Sequence, residues 1–541
     1  MKKIIIFCSL FFAVNAVFSQ NTPVGEIHGN FQTDVQYYNP DTLIGAPPVP
    51  EKMLMNGFGN VIYTRNNFSA GVRYESYLNA LQGFDKRYVG NGIPYRYASY
   101  TIDNLEVTLG NFYDQFGSGL IFRSYEERGL LYDNAMDGIR LKYKVINGMY
   151  LKGFVAKQRA FFTQGPGIVR GFDGEMNLNE MISKWNDSKT RVTLGSSFIS
   201  KFQEDQDPTY ILPENVGAWA ERFSINHGKF NISGEFAYKI NDPNTINGFI
   251  YKPGDAELLQ VSYAQKGLGI SSSVKRIDNM AYRSDRTALG NSLNINYLPA
   301  LTKQHTYNLA TLYPYATQPN GEIGFQTEVV YTIKKGSLLG GEYGTTIIAN
   351  YSTANSIDKD TSGVNPDYGY NSDYTKIGKD VYYKDFNIEI TRKFSKSFKF
   401  TLFYANQVYN KDIVQGLSGF GTIYSDIVVL DFTYKFNSKH ALRTEMQSLT
   451  TDQDDGDWAS LLLEYTISPH WFFSALDQYN YGNSNPVKQL HYYFGSVGYI
   501  QNSTRISINY GRQRAGIFCV GGICRNVPAS NGISLTVSSS F

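Results

Sequence analysis

The chain closes on Ile533-Ser-Leu535-Thr-Val537-Ser-Ser539-Ser-Phe541. Side chains along an extended strand alternate between two faces. Ile533, Leu535, Val537 and Phe541 therefore share one face, and Ser534, Thr536, Ser538 and Ser540 share the other. An apolar face for lipid, a small-polar face for a wet lumen and a terminal Phe make the last strand of a membrane barrel. In such barrels this strand is also the signal read by the assembly machinery, so Ile533, Leu535, Val537 and Phe541 are the expected assembly signal.

The other end agrees. Lys2 and Lys3 precede a short apolar run, Ile4 to Val14, and Val17 and Ser19 are small residues placed for a cut after Ser19. This predicts a secretory leader over 1–19 and a barrel over 20–541. Cys8 lies inside the apolar run after Phe7, which makes a poor lipid-anchoring site. No later run reaches the roughly 20 apolar residues of a spanning helix. A closed barrel is the other structure that can cross a bilayer.

Period-2 patterning recurs through the middle. Ile139, Leu141, Tyr143 and Val145 alternate with Arg140, Lys142 and Lys144, and Val428, Leu430, Phe432 and Tyr434 alternate with Asp431 and Thr433. Tyr (42) and Phe (35) far outnumber Trp (4), as aromatic-rich strands and interface girdles favour. Short turns such as Asn66-Asn67, Asp103-Asn104 and Asn502-Ser503 separate longer polar connections, among them 113–136, 277–288 and 353–380. The fold class is thus all-β: a transmembrane antiparallel barrel with short periplasmic turns and long external loops. The parse gives about 26 strands, two of them weakly patterned (near 172–184 and 289–298), so the range is about 22–26. Val24 to Phe31 already reads as the first strand, so no plug domain of the TonB-dependent kind is expected before it. A barrel this wide leaks unless external loops fold inward or a partner fills it.

Loss of the leader removes Lys2 and Lys3 and no acid, leaving 48 basic against 48 acidic residues. That balance gives no argument for a nucleic-acid partner. The expected partners are outer-membrane lipid and lipopolysaccharide, the barrel assembly machinery and other envelope proteins. Cys519 and Cys524 remain after cleavage, and the two glycines between them permit a disulfide. The six histidines show no metal spacing, and neither His28 nor His491 has an evident catalytic partner, so neither a metal, a cofactor nor an enzyme activity is expected. Asp452, Asp454, Asp455 and Asp457 read either as a calcium loop or, more simply, as a solvated acidic loop.

The most charged segment runs from Gly110 to Arg140. It places Asp114, Arg123, Glu126, Glu127, Arg128, Asp133, Asp137 and Arg140 in one external connection. One reading is an inward-folded constriction in which Arg123 and Arg128 oppose Glu126, Glu127 and Asp133. The other is a salt-bridged loop that stiffens the barrel. Gly110 to Gly138, Tyr313-Pro-Tyr-Ala-Thr-Gln318, Leu339 to Gly344 and Gly511-Arg-Gln-Arg through Pro528 together resemble a family of outer-membrane β-barrels of unknown function. The resemblance implies a porin-like or scaffold barrel and supplies no catalytic residue. Three functions are expected in descending order: a non-enzymatic channel or transporter for polar solutes, a structural component of an envelope export or surface-assembly complex, and a barrel hydrolase.

Overall fold

Hydrogen bonding closes the chain on itself. In the computed structural model, which describes residues 25–520 and 523–541, strand Glu26–Tyr38 pairs with Met53–Arg65 on one side and with the last strand, Ser530–Ser540, on the other. The expected leader at 1–19 lies outside the described residues. Twenty-four strands form this one sheet. All its pairings are antiparallel and every edge is consumed, as a barrel in lipid requires. No helix among the described residues is long and apolar enough to cross a membrane, which says nothing about a β-barrel.

The count is 24 rather than 26 because the two weakly patterned segments resolve differently. Residues up to Asn177 belong to the strand Thr163–Asn177, and short helical turns follow at Leu178–Met181 and Ser183–Trp185. The segment 289–298 is no wall strand at all. It belongs to the external connection that runs from 279 to 321 between Leu268–Asp278 and Glu322–Ile333. The expected loop 353–380 is mostly strand, because Thr345–Asp360 and Asn371–Lys393 continue as a long hairpin. The rule of short inner and long outer connections also has exceptions. Phe161-Phe162 is a short external turn, whereas 178–189 and 334–344 are long turns on the opposite side.

Two-residue turns follow backbone chemistry. Asn66, Asp103, Gly148 and Asn502 hold φ of 50°, 49°, 82° and 52°. Asn, Asp and Gly tolerate the left-handed region that twisted hairpins need. The outer face carries the apolar half of each alternation: Ile139, Leu141, Phe172, Phe198, Val428 and Ile508 are all exposed for lipid.

The last strand behaves as its pattern predicts. Ile533 and Leu535 face outward, whereas Thr536 Oγ1 donates to Asp34 Oδ1 at 2.8 Å on the inner side. Gly29 and Phe541 exchange both backbone hydrogen bonds at 2.9 Å, which fastens the final residue to the first strand. A Cβ at Gly29 would sit 2.2 Å from the Phe541 ring, so the glycine makes the seat for that ring.

Candidate functional site

The inner wall departs from a simple wet lumen. Ala156, Ala218, Ala220, Ala237 and Ala256 point inward, and Phe116, Leu120, Ile121 and Phe122 of the 113–135 loop pack on them. The neighbouring arc is built the same way. Tyr307, Leu309, Tyr313 and Tyr315 of the 279–321 connection pack on Ala354, Phe403, Ala405, Ile427 and Val429. Small wall residues leave depth for large plug residues, and interiors fill to near-crystalline density. Two external loops therefore fold into the barrel and occupy much of it.

Polar side chains fix both loops. Arg123 N donates to the Ile295 carbonyl at 2.9 Å. Asn134 Nδ2 donates to the Arg123 and Asn294 carbonyls, each at 3.0 Å, so one loop braces the other. The 279–321 connection is held at both ends. Lys239 Nζ donates to the Ala281 carbonyl at 2.9 Å while Lys201 pairs with Asp242 at 2.6 Å. At the far end Lys275 pairs with Glu322 at 2.8 Å, and Lys275 Nζ also donates to Thr317 Oγ1 at 2.7 Å.

The charged residues of the 113–136 segment are nearly all engaged. Asp133 receives Arg159 Nη1 at 2.5 Å, the Tyr113 hydroxyl at 3.0 Å and Arg73 Nη2. Arg73 and Arg159 are wall residues whose side chains are 3 % exposed, and both also pair with Glu75. Glu126 takes Arg73 and Arg128, each at 2.9 Å, and the Arg128 guanidinium lies over Phe58. Glu127 Oε1 accepts the Gly129 amide at 3.1 Å. Arg123 lies between the Tyr125 and Tyr297 rings, 4.2 and 4.1 Å from their centroids. Arg140 pairs with Glu106 at 2.8 Å and Asp114 at 3.3 Å, Lys152 also reaches Asp114, and Asp137 pairs with Arg96 at 2.9 Å. Asp133, Glu126 and Arg128 thus form one network with the wall, Asp114 and Arg140 a second, while Arg123 is held by rings. Arg73, Glu75, Arg159 and Asn134 complete the arrangement and were not singled out by the sequence. Their one signal was position, since Arg73, Glu75 and Arg159 fall at inward sites of alternating strands.

Cys519 and Cys524 are disulfide-bonded, with Cα atoms 4.1 Å apart, across the hairpin Gly516–Val520 and Ile523–Val527. This hairpin covers an open chamber of 790 Å³ in the external half of the barrel. Its floor and side come from 300–315 of the plug connection, and its other side from the strands nearest the closure. Gln36, Gln478, Gln513, Ser530 and Ser534 supply polar groups, and Tyr313, Tyr315, Tyr492 and Phe518 supply rings. Arg512 Nε donates to Asp41 Oδ2 at 2.7 Å behind the wall. Burial raises the Asp41 carboxyl, but hydrogen bonds from Asn531 and Arg512 outweigh it and hold it below the usual carboxylate range. The acidic 452–457 loop stands nearby, where Lys411 pairs with Asp454 at 2.6 Å. No group of three or more metal-binding side chains converges among the described residues.

Below the chamber the inner face of the closing strands is small and polar. Ser496, Ser507, Asn509, Thr536 and Ser538 all lie inward by register, opposite lipid-facing Val497, Ile506, Ile508 and Leu535. The plug clusters do not include these residues.

Among solved structures, the siderophore receptor PirA from Pseudomonas aeruginosa is 8 % identical, with 96 % of this chain and 82 % of that chain covered and a TM-score of 0.42. The P pilus usher (PapC) translocation pore is 9 % identical over 95 % of this chain and 99 % of that one, with a TM-score of 0.39. OpdQ from Pseudomonas aeruginosa is 11 % identical over 96 % and 97 %, with a TM-score of 0.33. Scores and identities this low leave function to be argued from the chain's own residues. No curated protein matches the sequence. A model described as a family of unknown function (DUF6029) matches residues 1–541, and the chain belongs to that family.

Proposed function

We propose that the protein is a non-enzymatic transport barrel of the bacterial outer membrane that passes small polar solutes along the closing strands, beside a loop-built plug. The observation that carries this reading is the asymmetry of the inner wall. One arc is apolar and packed by the plug, while the arc around the closure is lined by Ser, Thr, Asn and Gln and leads inward from the outer chamber. Hydroxyls and amides on a wall that meets no plug side chain suit contact with water and polar solutes. The apolar outer belt suits contact with outer-membrane lipid and lipopolysaccharide, and the closing Phe541 strand suits insertion by the barrel assembly machinery.

The test is solute flux into liposomes carrying the purified barrel. Small sugars and amino acids should enter at rates that fall with solute size. Substituting Ser496 and Asn509 together by Trp should narrow the polar arc and cut flux severalfold while the barrel remains inserted. Absence of flux above protein-free liposomes removes the reading. In that case recovery of stoichiometric envelope proteins from native membranes in mild detergent would favour an assembly scaffold.

A further inference from the structure

We propose that the outer chamber is a binding site for a small anionic solute, a sugar-sized ring compound bearing one carboxylate or phosphate, anchored by Arg514. The inference rests on the transport reading above and gives it a substrate class. Among the described residues the chamber lining contains Lys303, Arg512 and Arg514 but not one Asp or Glu. Two of these cations are balanced from behind: Lys303 by Glu328 at 3.4 Å and Arg512 by Asp41 at 2.7 Å. Arg514 has no such partner. Among the described residues its guanidinium makes one long hydrogen bond, Nη1 to the Ala515 carbonyl at 3.3 Å, and no ion pair.

The nearest acidic loop does not fill that role. Asp454 is engaged by Lys411, and Asp455 accepts from Asn483 Nδ2 at 3.3 Å. Neither lines the chamber. Room is made for the guanidinium by Gly516, where a Cβ would sit 2.7 Å from Nη1. A guanidinium has five N–H donors in a planar fork that matches carboxylate and phosphate oxygens. Tyr313 and Tyr492 line the same chamber, and aromatic faces suit the apolar face of a sugar ring. Gln36, Gln478 and Gln513 offer donors and acceptors to hydroxyls. The 790 Å³ volume lies within the roughly 300–1,000 Å³ of ordinary ligand sites.

The experiment is equilibrium binding of radiolabelled glucuronate, glucose 6-phosphate and neutral glucose to the full-length barrel in nanodiscs. Wild type should bind at least one acidic sugar about tenfold or more tighter than glucose, the size expected of one charge-assisted contact. Glucuronate and glucose 6-phosphate are separate arms, so the preferred one identifies carboxylate or phosphate as the anchor group. Arg514→Gln should erase that preference and leave glucose binding unchanged. Arg514→Lys should keep part of it. Gly516→Val, which crowds Nη1, should weaken acid binding without removing the charge and serves if Arg514→Gln does not fold. No acid preference in wild type, or an intact preference in heat-modifiable Arg514→Gln or Gly516→Val barrel, overturns the site. Acid-selective binding without liposome flux keeps the site and removes the transport reading. Flux without acid-selective binding does the reverse.

Discussion

Replacing Glu322 by Gln should loosen the plug without harming the wall. Glu322 begins the strand that follows the 279–321 connection, and its Oε1 lies 2.8 Å from Lys275 Nζ. The two side chains are 0 % and 1 % exposed. Glu322 Oε2 also accepts the Tyr315 hydroxyl at 2.5 Å and the Gln318 amide at 2.8 Å. A glutamine keeps the shape and the acceptor but leaves Lys275 buried without a counter-charge. Removing one member of a buried pair costs about 3–5 kcal/mol. At 1.4 kcal/mol per tenfold, the fraction of barrels with this end undocked should rise by roughly two to three and a half powers of ten. Arg283 and Arg286 are buried trypsin sites in the same connection. Their cleavage rate reports the undocked fraction when opening is fast compared with cutting. Trypsin added to intact cells should cut Glu322→Gln at least a hundredfold faster than wild type, and single-channel openings should become correspondingly frequent. Adding Lys275→Met removes the stranded charge and should restore most of the resistance. Equal cleavage of wild type and Glu322→Gln, with both barrels inserted, would falsify the reasoning.

Three further outcomes follow from other contacts. Deleting Phe541 removes the ring seated over Gly29 and both backbone hydrogen bonds to it, so the outer-membrane level should fall and periplasmic degradation rise; unchanged, heat-modifiable protein on gels would refute this. Replacing Cys519 and Cys524 by Ser should cost about 1–3 kcal/mol locally, because the closed loop is short, and should leave the barrel inserted; a loss of insertion on cell fractionation would contradict it. Asp41 has a folded-state value below its ordinary one of about 3.9, so its grip on Arg512 and Asn531 is complete above that pH and is lost as pH falls through the lower folded value. Melting of wild type should therefore show an acid-side decline that Asp41→Asn lacks; parallel pH profiles would count against the contact.

What was legible in the sequence is what alternation encodes. Ile533 to Phe541 and Ile139 to Val145 announce two-faced strands because each residue's environment is set by its immediate neighbours. The charged 110–140 segment was legible as a site, yet its partners were not. Arg73 and Arg159 lie on other strands, and the register of distant hairpins decides that they converge on Asp133. The reading that gave Arg123 and Arg128 a shared role as opposed charges meets a different geometry, in which Arg128 belongs to the wall network and Arg123 to a pair of rings. The 279–321 connection hid best. Its irregular backbone carries no period, and Leu293, Ile295 and Tyr297 alternate well enough to imitate a strand. The blocks that carried the family resemblance fare better than either pattern. Tyr313 to Gln318 holds the plug to Glu322 and lines the chamber, and Gly511 to Cys519 supplies Arg512 and Arg514.

A plug was nonetheless written into the wall. Ala218-Trp219-Ala220 and Phe236-Ala237 alternate large with small rather than apolar with polar. Lipid explains Trp219 and Phe236, but water in a lumen gives no reason for alanine over serine or asparagine. Alanine at an inward site makes sense when something bulky must approach closely, as Phe122 and Tyr282 do. The closing strands make the opposite choice, with Ser507, Asn509, Ser534 and Thr536 inward. Apolar-out with alanine-in therefore marks wall that a loop covers, and apolar-out with serine-in marks wall that faces solvent. The rule is sharp enough to break. Ala218→Glu should expel the 113–135 loop, because a carboxylate there meets Phe122 and Leu120 rather than water, whereas Ser507→Glu should be tolerated and alter only solute selection. Tryptic mapping of the two inserted variants decides it: equal protection of the 113–135 loop in both would show that inward alanines do not encode the plug.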